Sequence, residues 1–394
     1  MEEVKVLIIG GGTAGLTFAA HLARQISGDD IAIIEPSEAH YYQPLFTLVG
    51  AGESALKDTV RTTGDFIPSR VRWIKAAATA IDPEQKTVAT AAGVVKYAYL
   101  VVCPGLQLNW DKIPGLRTGL GAAGAVCSNY APEYAEGTWR AIKAFKGGNA
   151  IFTFPATPVK CAGAPQKIMY LAEDYFRRHG LRDRANVIYV TPLEKIFAVK
   201  KYADALTAII ARRDISILFR HELVGVDNEA QTCTIRDLTS SSDKTMPFAL
   251  LHVTPPMGPP DFVKASLLAN AQGFVDVDRA TLQSPRFPNV FSLGDVSSLP
   301  TSKTGAAIRA QVPILLANLL AVMAGKTSDQ NYTGYTSCPL VTGYGKLILA
   351  EFDYDGIPQE SFPFDQSKER LSMYLLKKYL LPQLYWRGML RGRA

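Results

Sequence analysis

The 394-residue chain has only five cysteines (Cys103, Cys127, Cys161, Cys233, Cys338), and their spacing matches no zinc pattern. So few thiols cannot staple a scaffold, so most are expected in the core and any reactive pair in catalysis. The five histidines (His21, His40, His179, His221, His252) are scattered, and no pair has the spacing of a metal site. No metal is expected. No uninterrupted apolar run reaches the roughly 18 to 20 residues of a membrane-spanning helix. The opening "MEEVKVLIIGGG" enters a strand almost at once and lacks the basic lead of a signal peptide. No basic stripe with interleaved aromatics crosses the body, which argues against nucleic acid as the main partner. With 47% hydrophobic and 20% charged residues, the chain reads as globular, with two or three domains.

What is present begins with "VKVLIIGGGTAGLTFAAHLARQI", an apolar strand leading into Gly10, Gly12 and Gly15 and then a helical repeat. A second strand, "IAIIE", ends on Glu35, 20 residues after Gly15. This is a dinucleotide-binding βαβ unit: Gly10 makes the tight turn, Gly12 admits the pyrophosphate, and Gly15 lets helix pack on strand. The helix N-terminus stabilises phosphate, and Glu35 accepts from the adenosine ribose.

A second such loop is missing where one is expected. After the strand-like "NAIFTF" comes "PATPVKCAGAPQK" (155–167), with two prolines ahead of the cysteine and no glycine before Gly163. Prolines donate no N–H, so the loop is a poor phosphate cradle and nicotinamide nucleotide is not the expected electron donor. It offers instead Cys161 at a helix start beside Lys160, and both the dipole and a neighbouring cation favour thiolate. A packed core thiol is the plain alternative. Its candidate partner, 177 positions on, is Cys338 in "YTSCPLVTGYGKL", read as lying at an element boundary.

"YAYLVVCPG" (97–105) and "FPNVFSLGD" (287–295) are short strands ending in glycine turns, at Gly105 and before Asp295. The pair resembles the flavoprotein pyridine nucleotide-disulfide reductases. That resemblance implies FAD, with Asp295 on its ribityl chain. It also implies an α/β fold of two Rossmann-like dinucleotide-binding domains in tandem: an FAD domain (1–110 and 245–325) split around the second (111–244), then a C-terminal membrane-facing region (326–394). The turn departs from the family in reading Cys103-Pro104-Gly105.

"TPVKCAGAPQKIMYLAE", "LHVTPPM", "LPTSKTGAAIRAQ", "YTSCPLVTGY", "AEFDY" and "FPFDQSKERLSMYLLK" together resemble the sulfide:quinone oxidoreductases, in the branch that includes the mitochondrial enzymes. The likeness spans nearly the whole chain. It implies that Cys161 and Cys338 form a redox disulfide attacked by hydrogen sulfide. One cysteine is left as a persulfide and the other as a thiolate able to reach the flavin, with two electrons passing to FAD and on to a quinone. The sulfane sulfur leaves on a small acceptor. Lys303 matches a lysine at the flavin pyrimidine edge, where a cation stabilises reduced flavin, and Gly305 allows close approach to the backbone. Cys127 has two readings, a flavin-proximal thiol as in bacterial members or a small packed residue.

The net charge of +6 equals the excess of the last 28 residues, where seven basic residues face one acid. Leu371, Leu375 and Tyr379 share a helix face, and Pro382 is expected to break the segment in two. Such a tail suits an interfacial helix on anionic lipid. Phe352, Tyr354, Tyr385 and Trp386 are the aromatic candidates for a quinone site. The expected location is the cytoplasmic face of a bacterial inner membrane, or the mitochondrial inner membrane for a mature chain. Homo-oligomers stay open. The rival functions are a type II NADH:quinone oxidoreductase, which needs a usable second glycine loop, and a flavin-bound interaction or assembly protein without turnover. The flavoprotein subunit of a sulfide dehydrogenase is disfavoured by the missing export signal and the amphipathic tail.

Overall fold

The computed structural model describes residues 2–121 and 124–394. The first sheet runs Arg72–Ile74, Ile31–Ile34, Glu2–Ile9, Gly93–Val102, Thr87–Thr90 and Ala78–Asp82, with Val290–Ser292 also beside Gly93–Val102. Its nucleotide half is parallel and its far wing antiparallel. Sequence and environment agree strand by strand. Every residue of Ile31–Ile34 is buried, as a strand covered on both faces requires. In Gly93–Val102 the wing half alternates exposed and buried, whereas Leu100, Val101 and Val102 are all buried in the parallel half. Three parallel strands thus bring their carboxyl ends side by side at Gly10, Cys103-Pro104-Gly105 and Gly294-Asp295. Open α/β sheets bind ligands at such ends.

The second sheet is fully parallel, in the order Val126–Cys127, Leu250–His252, Gly148–Thr153, Ala185–Thr191, Ser216–Phe219. Two Rossmann-like sheets bear out the expected fold class. The helix Ala164–Arg178 is mostly buried, carrying Glu173 inward onto Arg213 at 3.1 Å. Over it lies the antiparallel pair Thr336–Gly343 and Lys346–Phe352.

The helix Gly305–Met323 is, by length and composition, apolar enough to cross a membrane, with mean hydropathy 1.7. Arg309, Gln311 and Asn318 interrupt its apolar run in the sequence. Two of them tie it to the nucleotide domain: Gln311 Oε1 accepts from Gly294 N at 2.9 Å, and Asn318 Nδ2 donates to Thr281 O at 2.9 Å.

The tail corrects one expectation. Pro382 does not break it: helical turns continue from Leu371 to Arg391, with π turns at Leu376–Leu380 and Leu384–Gly388 on either side of the proline. A proline ring clashes with the carbonyl four residues back, and a π turn relieves that clash by widening the register. The π turns also set the face. In a regular α-helix, residues four apart drift by about 40° per step. Here Leu371, Leu375, Tyr379, Gln383, Arg387 and Arg391 are all exposed, while Met373, Lys377, Tyr385 and Met389 are all buried. Alternating α and π turns average about four residues per turn, which keeps each set on one face.

Candidate active site

The thiol pair is assembled by two elements far apart in sequence. Cys161 ends the proline-rich loop in the left-handed region, at φ 86°, and its carbonyl accepts from Ala164 N at 2.7 Å to start the helix Ala164–Arg178. Cys338 is the third residue of the strand Thr336–Gly343 and only 2% exposed, so it is not at an element boundary. Pro339 fails to end that strand because a two-stranded ladder has open edges, where a missing N–H loses no bond. The two sulfurs lie 4.0 Å apart, the separation of a hydrogen-bonded dithiol. A disulfide, at about 2.05 Å, needs only local movement from there. Gly163 makes the approach possible: a Cβ there would lie 2.5 Å from Cys338 Sγ and 2.6 Å from Leu340 Cδ2. The loop's one glycine serves sulfur contact, not phosphate.

The cation beside Cys161 is not the one expected. Lys167 Nζ donates to Cys161 Sγ at 3.2 Å, from a side chain in the first turns of the helix. Lys160 instead feels the charges of Asp295 and Glu133. Consecutive residues in an extended loop diverge, whereas the helix carries residue 167 back over its own start. The Cys161 thiol is held well below its ordinary range, first by the hydrogen bond from Cys338 and then by Lys167, against the cost of burial. Cys338 is pushed up correspondingly, first by the same bond and then by burial. Both directions favour negative charge on Cys161 over Cys338.

A second lysine reaches the pair from the tail. Lys377 is 3% exposed and donates to Pro44 O at 3.0 Å. It is lowered to about 7, first by burial and then by the charge of Lys167, while both cysteines pull the other way. Neither lysine was singled out from sequence. For Lys377 the signal was its place at four-residue spacing with Met373 and Tyr385, on the face that is buried. The Tyr130 hydroxyl is buried with that of Thr254 as its neighbour, and it feels the charge of both cysteines.

The nucleotide side is shaped to receive a large polar group. Gly10 has φ 100°, and a Cβ there would lie 2.6 Å from Cys103 O. A Cβ at Gly15 would overlap the Gly10 carbonyl, so helix and strand meet as closely as the motif implies. Gly12, Gly105 and Gly305 face open space instead. The helix Thr13–Leu22 has no side-chain cap on its first N–H groups, which leaves them for phosphate. Glu35 accepts from Gly11 N and Ser37 N, each at 2.7 Å, and so braces this loop. Among the described residues Asp295 accepts no hydrogen bond, although Lys303 and Lys160 both act on it. Burial raises its carboxyl and lowers both lysines to about 8. Lys303 Nζ donates to Ser297 O at 2.7 Å and lies 5.1 Å from the Phe274 ring centroid. An unpartnered acid, uncapped N–H groups and open glycines fit a dinucleotide cofactor.

The remaining candidates are dispersed. Cys127 is buried against Thr138, and burial raises its thiol to about 12. The four aromatic candidates divide. Phe352 packs edge-on to Phe197 at 5.8 Å, and Tyr354 packs edge-on to Tyr332 at 5.5 Å and donates to Arg279 O at 2.9 Å. Tyr385 and Trp386 pack instead on the nucleotide domain, where the Tyr385 hydroxyl bonds His40 Nε2 at 2.5 Å and Thr13 Oγ1 at 2.8 Å. Eighteen residues (353–370) carry the chain from one place to the other.

The fold is that of a flavin-dependent oxidoreductase, and the family described as pyridine nucleotide-disulphide oxidoreductase matches residues 4–142. The mitochondrial sulfide:quinone oxidoreductase of Mus musculus is 50% identical over 393 residues, covering 99% of this chain and 87% of the mouse protein. The chain belongs to the sulfide:quinone oxidoreductase family. The structure of the sulfide:quinone oxidoreductase from Aquifex aeolicus has the same fold, with a TM-score of 0.84 at 19% identity, over all of this chain and 93% of that one. A type II NADH:quinone oxidoreductase of Staphylococcus saprophyticus is 31% identical over 119 residues, only 29% of this chain and 30% of that protein.

Proposed function

We propose that this chain oxidises hydrogen sulfide at the Cys161–Cys338 pair and delivers two electrons to a membrane quinone. The observation that carries the reading is the sulfur pair itself, 4.0 Å apart with Lys167 on one thiol. Starting from the oxidised pair, hydrosulfide bonds to one sulfur as the disulfide breaks, leaving a persulfide on one cysteine and a thiolate on the other. A small nucleophile, a thiol or sulfite, then removes the outer sulfur, and re-forming the disulfide releases two electrons. Bound FAD supplies their acceptor on the way to quinone. Lys167 holds positive charge beside the thiolate, which makes it a better leaving group, and Lys377 adds to that charge when protonated. Gly10, Gly12, Gly15 and Glu35 would hold the pyrophosphate and adenosine, Asp295 the ribityl chain, and Lys303 with Lys160 the flavin edge near Gly105 and Gly305.

The exposed stripe of Leu371, Leu375 and Tyr379, joined by Leu380, supports a tail that lies on the membrane as an interfacial helix. Mitochondrial relatives support an inner-membrane setting. The test is anaerobic titration with sulfide, following flavin bleaching and then reduction of added decylubiquinone. Cys161→Ala and Cys338→Ala should each lose sulfide-driven bleaching while retaining flavin, and full activity in either overturns the reading. Bleaching by NADH alone would select the type II enzyme instead.

A further inference from the structure

The exposed stripe of the tail has two chemical halves. From Leu371 to Leu380 it is apolar, and past Gln383 it becomes Arg387 and Arg391. Against the basic end lies a cavity of about 550 Å³, walled by these two arginines with Arg61 and Arg393 and floored by Phe66 and Trp386. Asp65 is the single acid on its wall, so three positive charges are in excess. The guanidiniums are held on rings: Arg61 lies 5.2 Å from the Trp386 centroid and Arg391 4.8 Å from that of Phe66. Among the described residues none of the four forms an ion pair, whereas Arg177, Arg182 and Arg213 elsewhere all do.

We propose that this pocket binds the phosphate of an anionic phospholipid headgroup. Four guanidiniums without an acidic partner, of which Arg61 also donates to Val60 O at 2.6 Å, repel one another in one concavity until an anion enters, and phosphate accepts planar N–H forks in pairs. Ring faces of Trp and Phe suit the headgroup level, where one side is apolar and the other wet. Continuity decides the source of the phosphate. A helix lying along a bilayer surface holds both halves of its stripe at one depth, so the leucines enter the acyl boundary while the arginines meet the headgroups beside them. The proposal rests on the membrane-facing role of the tail given above.

Flotation of the full-length holoprotein with vesicles of phosphatidylcholine, and of phosphatidylcholine mixed with phosphatidylglycerol, tests it. The wild type should bind both and bind the mixture more tightly. Arg387→Gln/Arg391→Gln should weaken binding to the mixture about thirtyfold and leave binding to phosphatidylcholine unchanged. Lys96→Gln/Lys244→Gln, the same charge change on exposed residues of other elements, should leave both unchanged. Equal loss in that control, no loss in the arginine variant, or displacement by inorganic phosphate at matched ionic strength would each overturn the headgroup site. A wild type that binds neither vesicle would instead sink the membrane reading of the tail.

Discussion

Lys167 favours charge on Cys161, the sulfur it touches. Its ammonium is 3.2 Å from Cys161, and the Cys338 sulfur lies 4.0 Å from the same atom. Lys167→Met is therefore expected to raise the Cys161 thiol toward its ordinary range and slow alkylation by iodoacetamide at neutral pH about tenfold. Loss of thiolate absorbance in a pH titration would report the same change, and an unaltered titration would remove Lys167 from the role. Gly163 sets the spacing of the pair. Gly163→Ala forces a methyl against Cys338 Sγ and Leu340, so it should cost about 1–3 kcal/mol by denaturant unfolding and abolish sulfide-driven flavin bleaching. At this scale the sequence showed Cys161 but misassigned its neighbour. Lys160 is adjacent in the chain, yet only the helix that follows decides which lysine returns to the sulfur.

The tail helix works on both faces at once. Its buried face brings Lys377 to the thiols and Tyr385 to the His40–Thr13 cluster at the nucleotide loop, so the segment is part of the active-site wall. Deleting it from Ser367 onward would remove those contacts and test folding as much as membrane binding. Point changes on the exposed face separate the two. Leu375→Asp/Leu380→Asp should abolish flotation with phosphatidylcholine vesicles while leaving the melting temperature and sulfide-driven bleaching in detergent unchanged; a drop in stability would show that this face packs on protein. The apolar positions at 371, 375 and 379 were legible in the sequence. The π turns that extend the stripe to residue 391 were not, because a proline signals a break unless the turn before it widens.

Across the whole molecule, burial holds two histidines neutral. His40 is lowered from 6.5 to about 4 and His252 to about 3, in each case chiefly by burial. Between those values and 6.5 the unfolded chain binds protons that the folded chain does not. Stability is therefore complete above about 6.5 and lost as pH falls toward 4. Melting temperature measured across that window should fall with pH, with about half the slope in His252→Gln; a rise on acidification would contradict the assignment. The sequence by itself determined the first nucleotide loop and the absence of a second, because strand periodicity and glycine spacing are local properties of the backbone, while the two Rossmann-like sheets followed from the family resemblance. Only the tertiary structure decided that Cys161 meets Cys338, that Lys167 and Lys377 converge on them, and that Tyr385 and Trp386 part from Phe352 and Tyr354. Those contacts join segments tens to hundreds of residues apart, and their energy depends on burial and distance, which exist only once the chain has packed.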